Sequence, residues 1–275
     1  MNTDIELKVL KSYEALQRIQ KLEKLVWNIS PLPIHQTITA SQNGGLVLGA
    51  FLHEEIVGFS YSFPGFHKGQ SYLCSHMLGI HPDHQGKGVG ARLKQEQKEI
   101  AREMGYDLVV WTYDPLETRN AYLNLSKLQT ICSTYVEDCY GEMGDNLNKG
   151  LPSDRFKVEW WINSTHVKNQ HPIPISQTKF QFRWEKTVDG LPKLKNVEHD
   201  LKSNFDYDTS IFVPVPANIQ HIKKVNHALA MDWRLKTRNI FQTLFAKGYA
   251  AVSLKKSADE SVHYYLLVQK NTLKI

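Results

Sequence analysis

Only three cysteines occur in 275 residues, Cys74, Cys132 and Cys139. They form no C-x-x-C pair, so neither a disulfide framework nor a zinc site follows from them, and free thiols in a reducing cytoplasm are the expectation. No apolar run approaches the ~20 residues that a spanning helix needs, and Met1 to Leu10 hold no apolar signal core. Membrane insertion and secretion are not expected. Cationic runs are equally scarce, the longest being the pairs Lys223-Lys224 and Lys255-Lys256, and the net charge of +5 is spread along the chain. A nucleic-acid footprint is therefore missing, although a mild positive excess suits an anionic cofactor. Also missing is any G-x-x-x-x-G-K-[ST] phosphate loop. What remains, 41% hydrophobic and 22% charged residues, suffices for one large or two modest cores.

The most informative segment runs from Ile80 to Leu93. An apolar stretch, Ser71 to Ile80, has β character, while Val89, Leu93, Gln97, Ile100 and Met104 recur at helical spacing. Gly86, Gly88 and Gly90 therefore fall at a helix N-terminus. There the orphan N–H groups and the helix dipole favour a phosphate, side chains on the glycines would obstruct it, and Lys87 adds a charge. The alternative fit to G-x-G-x-x-A fails on context, because His81 to Gln85 separate strand from glycines whereas a dinucleotide turn follows its strand at once.

Gln85-Gly86-Lys87-Gly88-Val89-Gly90 resembles the Gln/Arg-x-x-Gly-x-Gly/Ala signature of the GNAT acyltransferase superfamily. The order of the strand, the long helix and a second strand, Leu108 to Tyr113, is similar too, and the resemblance covers roughly residues 1 to 165. "SHMLGI", "TYDPLETRNAYLNL" and "GLPSDRFKVEWW" are similar to a bacterial subgroup of two-part predicted acetyltransferases. The resemblance implies an α/β fold with a mixed sheet and acetyl-CoA or another acyl-CoA as co-substrate. It also implies a cofactor site made from Leu78, Ile80, Gln85, Gly86, Lys87, Gly88, Val89, Gly90 and Asn120. The acceptor would be a small-molecule amine, an amino acid among them, with no nucleic acid or membrane partner and with room for a homodimer. A regulatory or scaffold acyl-CoA binder with little turnover is the second reading, and a protein-modifying acetyltransferase is the third.

Domain 1–165 is expected to be the acyltransferase and domain 166–275 a smaller α/β unit that completes or covers the acceptor pocket. Val9 to Leu25 reads as an amphipathic helix, Asn28 to Pro31 as a loop, and Leu46–Leu52 with Ile56–Tyr61 as a hairpin followed by a turn over Pro64 to Gly69. Glu117 to Leu128 is helical, and Asn163 to Gln177 reads as a linker. In the tail a strand at Ile211 to Pro216, a long helix from Ile219 to Ala246 and "KGY" before a strand echo Leu78 to Trp111, where "MGY" precedes the strand. A degenerate half-repeat and a chance likeness of one βαβ unit both fit that echo.

Acyl transfer to an amine requires alignment, proton removal and oxyanion stabilisation. His76 is the first candidate base, since imidazole titrates near neutrality and strand alternation gives it one side with Cys74 and Leu78. Many relatives carry a proton-donating tyrosine where alignment of Ala121 and Lys127 places Leu125. Tyr122, a water or unaided departure of the thiolate would then serve. Asn120 and Asn124, four apart, share a helix face and could contact pantetheine or substrate. Catalytic candidates are thus His76, Asn124 and Tyr122. For the acceptor, Arg155 could clamp a carboxylate and Asp154 orient an amine, unless the two simply pair; Arg119 stands with them, and Arg234 and Arg238 beside Trp233 could reach an anion. No metal ligand set is expected.

Overall fold

The computed structural model describes residues 4–28, 30–144, 148–168, 173, 175–195, 197–202, 205–206 and 208–275. They divide into two units, Met1–Trp111 with Trp161–Asn163, and Thr112–Trp160 with Ser164–Ile275. The boundary expected at 165/166 thus falls inside the second unit.

The first unit contains β1 (Ile5–Val9), α1 (Tyr13–Trp27), α2 (Ile34–Gln42), β2 (Leu46–Leu52), β3 (Glu55–His67), β4 (Gln70–Ile80), α3 (Val89–Glu103) and β5 (Leu108–Tyr113), the last two residues of β5 belonging to the second unit. Strand order is β1-β2-β3-β4-β5, antiparallel until β5 joins β4 in parallel. Leu16, Ile19, Leu22 and Ile34 of α1 and α2 bury against Val47, Phe51, Phe59 and Tyr61. Gly58, on the opposite face by strand alternation, lets α3 approach, because a Cβ there would stand 2.9 Å from Ile80 Cδ1 and 3.1 Å from Val89 Cγ1. The core beneath α3 is partly polar. Lys94 Nζ donates to Ser75 Oγ at 2.7 Å and Gln97 Oε1 at 3.2 Å and lies 3.6 Å from the Trp111 ring centroid, while Gln97 Nε2 donates to Ser62 Oγ at 2.6 Å.

Three expectations change here. Ile5–Val9 is a strand paired with β2, and the helix starts only at Tyr13, where Ser12 Oγ accepts from the Ala15 N–H. Helix α2 was not expected; Ile29 of the predicted loop lies outside the described residues. β3 runs through Pro64 and Gly65 to His67, and the turn shrinks to Lys68-Gly69, both at positive φ as a two-residue hairpin turn demands.

The second unit holds α4 (Thr118–Ala121), which continues as a π-turn (Tyr122–Lys127), then β6 (Ile131–Val136), β7 (Arg155–Trp161), whose Trp161 belongs to the first unit, α5 (Thr165–Lys168), β8 (Lys179–Gln181), β9 (Trp184–Lys186), β10 (Pro192–Leu194), α6 (Val197–Leu201), β11 (Ser210–Pro216), α7 (Ile219–Val225), α8 (His227–Ala246), β12 (Tyr249–Lys256) and β13 (Val262–Gln269). Strand order is β7-β6-β12-β13-β11-β8, with β9 and β10 as a separate pair. The long helix expected at 219–246 is two, broken at Asn226, whose side chain caps α8 by accepting from the Leu229 N–H at 2.9 Å. The expected linker contains α5; its residues 169–172 and 174 lie outside the described residues.

The internal echo takes a different form from the one expected. β4 and β5 are direct parallel neighbours, whereas β13 separates β11 from β12, so strand-helix-strand is not what repeats. A helical segment followed by an antiparallel strand pair does occur twice in the second unit. The π-turn, β6 and β7 match α8, β12 and β13: each first strand is antiparallel to its second, and β6 pairs antiparallel with β12 at Cys132 and Ala251. Each strand bulges at the next residue, between Cys132 and Thr134 and between Ala251 and Ser253. Three residues before the pairing point, both copies pass through the left-handed region, at Gln129 (φ 55°) and Gly248 (φ 85°). The π-turn packs on β12 and α8 on β6.

Candidate active site

In the first unit β4 ends at Ile80, a single turn of 3-10 helix (Pro82–His84) follows, and Gln85 to Gly88 lead exposed into α3. Gln85 Nε2 ties back to the Ile80 carbonyl at 3.3 Å. Gly86 and Gly88 adopt φ of 77° and 85°, values that suit glycine. A Cβ on Gly88 would meet no protein atom within 4 Å, so packing does not require glycine there; the backbone conformation does, and the space in front stays open. Gly88 is the N-cap and offers no side chain, so the first N–H groups of this 15-residue helix have no capping partner. Lys87 is exposed beside them, and among the described residues no carboxylate pairs with it. Such a cradle fits a diphosphate.

From the cradle, β4 leads back to a fork. Its parallel pairing with β5 is limited to Leu73 with Val109 and Cys74 with Val110, and β4 then runs on to Ile80 without that neighbour. An unpaired strand edge presents N–H and C=O groups that can take an extended amide chain as an added strand would be taken. Leu78 and Ile80 line the start of α3, at 3.6 and 3.8 Å from the position of a Gly90 Cβ.

His76 sits at a β-bulge. Pairing with β3 passes from Tyr61–Met77 to Ser62–Ser75, leaving His76 as the extra residue. The bulge overturns the expected alternation: Ser75 faces Lys94 of α3, Met77 packs with α1 and α2, and Leu78 returns to α3. His76 therefore does not share a side with Leu78. Its ring is solvent-accessible, 6.2 Å from that of Tyr61 and 5.6 Å from that of Phe63. Desolvation by these surroundings holds the imidazole below its usual pKa, so the neutral form, a proton acceptor, prevails at neutral pH.

The second unit holds the other candidates. Arg119 and Asn120 are exposed on α4, and Asn124 is buried in the π-turn. The wider turn breaks the common face expected for Asn120 and Asn124. Leu125 is buried, and the Tyr122 ring lies 4.7 Å from Lys256 Nζ and 5.5 Å from Lys127 Nζ. Asp154 is fully buried and its carboxylate is fully occupied. Arg238 donates to it through Nε and Nη2, both at 2.8 Å, the Tyr135 hydroxyl at 2.6 Å and the Asp138 N–H at 3.1 Å. It cannot orient an amine without breaking this set, and that expectation is withdrawn. Neither do Asp154 and Arg155 pair through their side chains. Arg155 donates to the Asp154 main-chain carbonyl at 2.9 Å and to Asn148 Oδ1 at 2.7 Å, and stands 4.0 Å from the Asp114 carboxylate. Arg234, nearly inaccessible, pairs with Asp114, which holds its proton more tightly than usual despite burial.

Sequence reasoning overlooked Lys94, Ser75 and Asp114. The signal for the first was available: Lys94 and Gln97 are polar residues on the face of α3 that also carries Leu93 and Ala101. No His, Cys, Asp or Glu cluster suited to a metal ion occurs among the described residues, and no helix among them is long and apolar enough to cross a membrane.

With cradle, fork and bulge in view, residues 13–123 are found to match the model of the acetyltransferase (GNAT) family. These residues lie in a mixed-sheet α/β fold, and the chain continues well beyond the matched segment. Among solved structures, Arabidopsis thaliana Naa50 in complex with the bisubstrate analogue CoA-Ac-MVNAL superposes with a TM-score of 0.46 at 13% identity, over 57% of this chain and 98% of that one. The Escherichia coli ribosomal-protein-S18-alanine N-acetyltransferase gives 0.46 and 13% over 57% and 94%. An aminoglycoside acetyltransferase from an uncultured soil metagenomic sample, in complex with sisomicin, gives 0.38 and 18% over 43% and 84%. Among curated proteins there is no significant match.

Proposed function

We propose that the protein is an acyl-CoA-dependent N-acyltransferase that acts on a small primary amine by direct transfer in a ternary complex. The observation that carries this reading is the combination of an open glycine cradle at the start of α3 with an unpaired β4 edge leading from it to the fork at Cys74. Acyl-CoA is the co-substrate, its pyrophosphate held by Gln85 to Gly90 and its pantetheine amides laid along β4 beside Leu78 and Ile80.

The acyl thioester is already reactive, so the protein's work is alignment, proton removal and charge stabilisation. His76, neutral at pH 7, accepts the proton of the attacking amine directly or through a water. Main-chain N–H groups of the free β4 edge stabilise the oxyanion. With Leu125 buried at the position where a tyrosine would donate, the thiolate departs unaided, its pKa being not far above neutral. An amino acid is the acceptor class to test first.

Leu125 favours one second reading, a regulatory acyl-CoA binder with little turnover. Calorimetry with acetyl-CoA and succinyl-CoA, followed by thiol release across a panel of amino acids and polyamines, separates the two. Micromolar binding with amine-dependent release supports the transferase; binding without release from any amine favours the regulator. Gly88→Glu, which sets a carboxylate in the cradle, is expected to abolish binding in a folded protein, and unchanged affinity would overturn the assignment.

A further inference from the structure

Tyr61 of β3 is only 3% exposed, yet its hydroxyl makes no hydrogen bond with any described residue. A buried tyrosine ordinarily has its O–H satisfied. Nor is the oxygen one of the enclosed polar atoms that lack a partner, so the little exposure that remains brings it to open space. The ring itself is explained by packing, since it joins Leu16, Ile19, Leu22 and Phe59 in the core under α1 and α2. Phe59, two residues earlier on the same face, shows that packing there asks for an aromatic ring and not for a hydroxyl.

The hydroxyl stands where the proposed chemistry occurs. Tyr61 pairs with Met77 beside the bulge, and its ring lies 6.2 Å from that of His76, edge to face at 82°. Burial raises its pKa, and Cys74, the last residue of β4 paired with β5, is close enough to raise it further. Ser62, the next residue of β3, points the other way and accepts from Gln97 of α3. The cradle therefore belongs to the α3 face, whereas Tyr61, Phe63 and Met77 belong to the face under α1 and α2. An acyl-CoA seated in the cradle reaches the fork from the first face and leaves the second to the nucleophile.

We infer that the Tyr61 hydroxyl receives the acceptor: its oxygen accepts one N–H of the incoming primary amine and holds the lone pair toward the thioester, next to His76. The inference rests on the acyl-CoA reading of the same unit. In the step itself the nitrogen bonds to the carbonyl carbon, the C–S bond breaks with its electron pair going to the coenzyme A sulfur, and the amine proton passes to His76. Tyr61 stays neutral and keeps its own proton, in line with its raised pKa.

Tyr61→Phe, which removes the oxygen and keeps the ring, provides the test, with glycine and putrescine as the amines. Because the hydroxyl binds no described residue, the variant should melt at the wild-type temperature and bind acetyl-CoA with wild-type affinity by calorimetry. The KM of whichever amine turns over should rise roughly tenfold, the loss of about one hydrogen bond. The Kd of that amine should rise equally when it is titrated into the protein saturated with desulfo-coenzyme A, a complex that cannot react. The acid limb of the pH–rate profile should stay in place, because His76 remains the base. Unchanged KM and Kd overturn the inference, as does a fall in stability with unaltered turnover, which would give the hydroxyl a role inside the core. Loss of the acid limb overturns it too, by making Tyr61 act through His76. Failure of the wild type to bind acetyl-CoA, or to release thiol with either amine, removes the transferase reading and this inference with it, whereas the outcomes for Tyr61→Phe bear on the inference alone.

Discussion

His76 combines solvent access with surroundings that favour its neutral form, an arrangement suited to a base. Because its pKa is lowered, the rate should hold through neutral pH and fall only below the ordinary histidine value of ~6.5. His76→Ala should cost roughly 100- to 10,000-fold in kcat and erase that acid limb, and a pH–rate profile of both proteins checks it. An unaltered profile would make His76 structural. Lys94 offers a separate test. Burial lowers its pKa to about 7, so between about 7 and its unfolded value near 10.4 the unfolded chain binds more protons than the native one. Stability attributable to this residue must therefore rise with pH across that window, by at most about 1.4 kcal/mol per unit. Urea unfolding of wild type and Lys94→Met at pH 7 and pH 9.5 isolates the effect as a difference. A gap between the two proteins that does not depend on pH would refute it.

Among the elements, β7 and α8 are tied by Phe156 against Phe241 and Phe245 and, at the start of β7, by one buried carboxylate. Asp154 precedes β7 and receives two hydrogen bonds from Arg238 of α8 and one from Tyr135 of β6. Asp154→Asn should leave Arg238 with Glu137 as its remaining charge partner and cost about 1–3 kcal/mol through the weakened hydrogen bonds at a buried site, read by chemical denaturation. Full stability with a raised KM for an amine would return Asp154 to the acceptor site. The π-turn is a second case of an element deciding which residues meet. Its wide hydrogen bond from the Leu128 N–H to the Leu123 carbonyl resets the helix face, so that Asn124 is buried while Asn120 stays exposed.

For the whole chain, the division at Trp111/Thr112 has a practical consequence. Strand β6 is flanked by β12 and covered by α8, both beyond residue 165. A fragment 1–165 would expose a strand edge and an apolar face, and it is expected to aggregate or to melt without cooperativity. A soluble fragment with a cooperative thermal transition would show instead that the first 165 residues suffice. Local signals explain what was legible beforehand. The glycine cradle, the amphipathic α3 and strands such as Leu108–Tyr113 follow from residue spacing and backbone preference, which act over a few neighbours, and the GNAT resemblance was carried by those same segments. The π-turn, the bulge at His76, the engagement of Asp154 by a residue 84 positions away and the pairing of β6 with β12 had no such signal. Strand register and buried ion pairs are chosen by packing and by the cost of leaving polar groups unpaired, and both are settled only when distant segments meet.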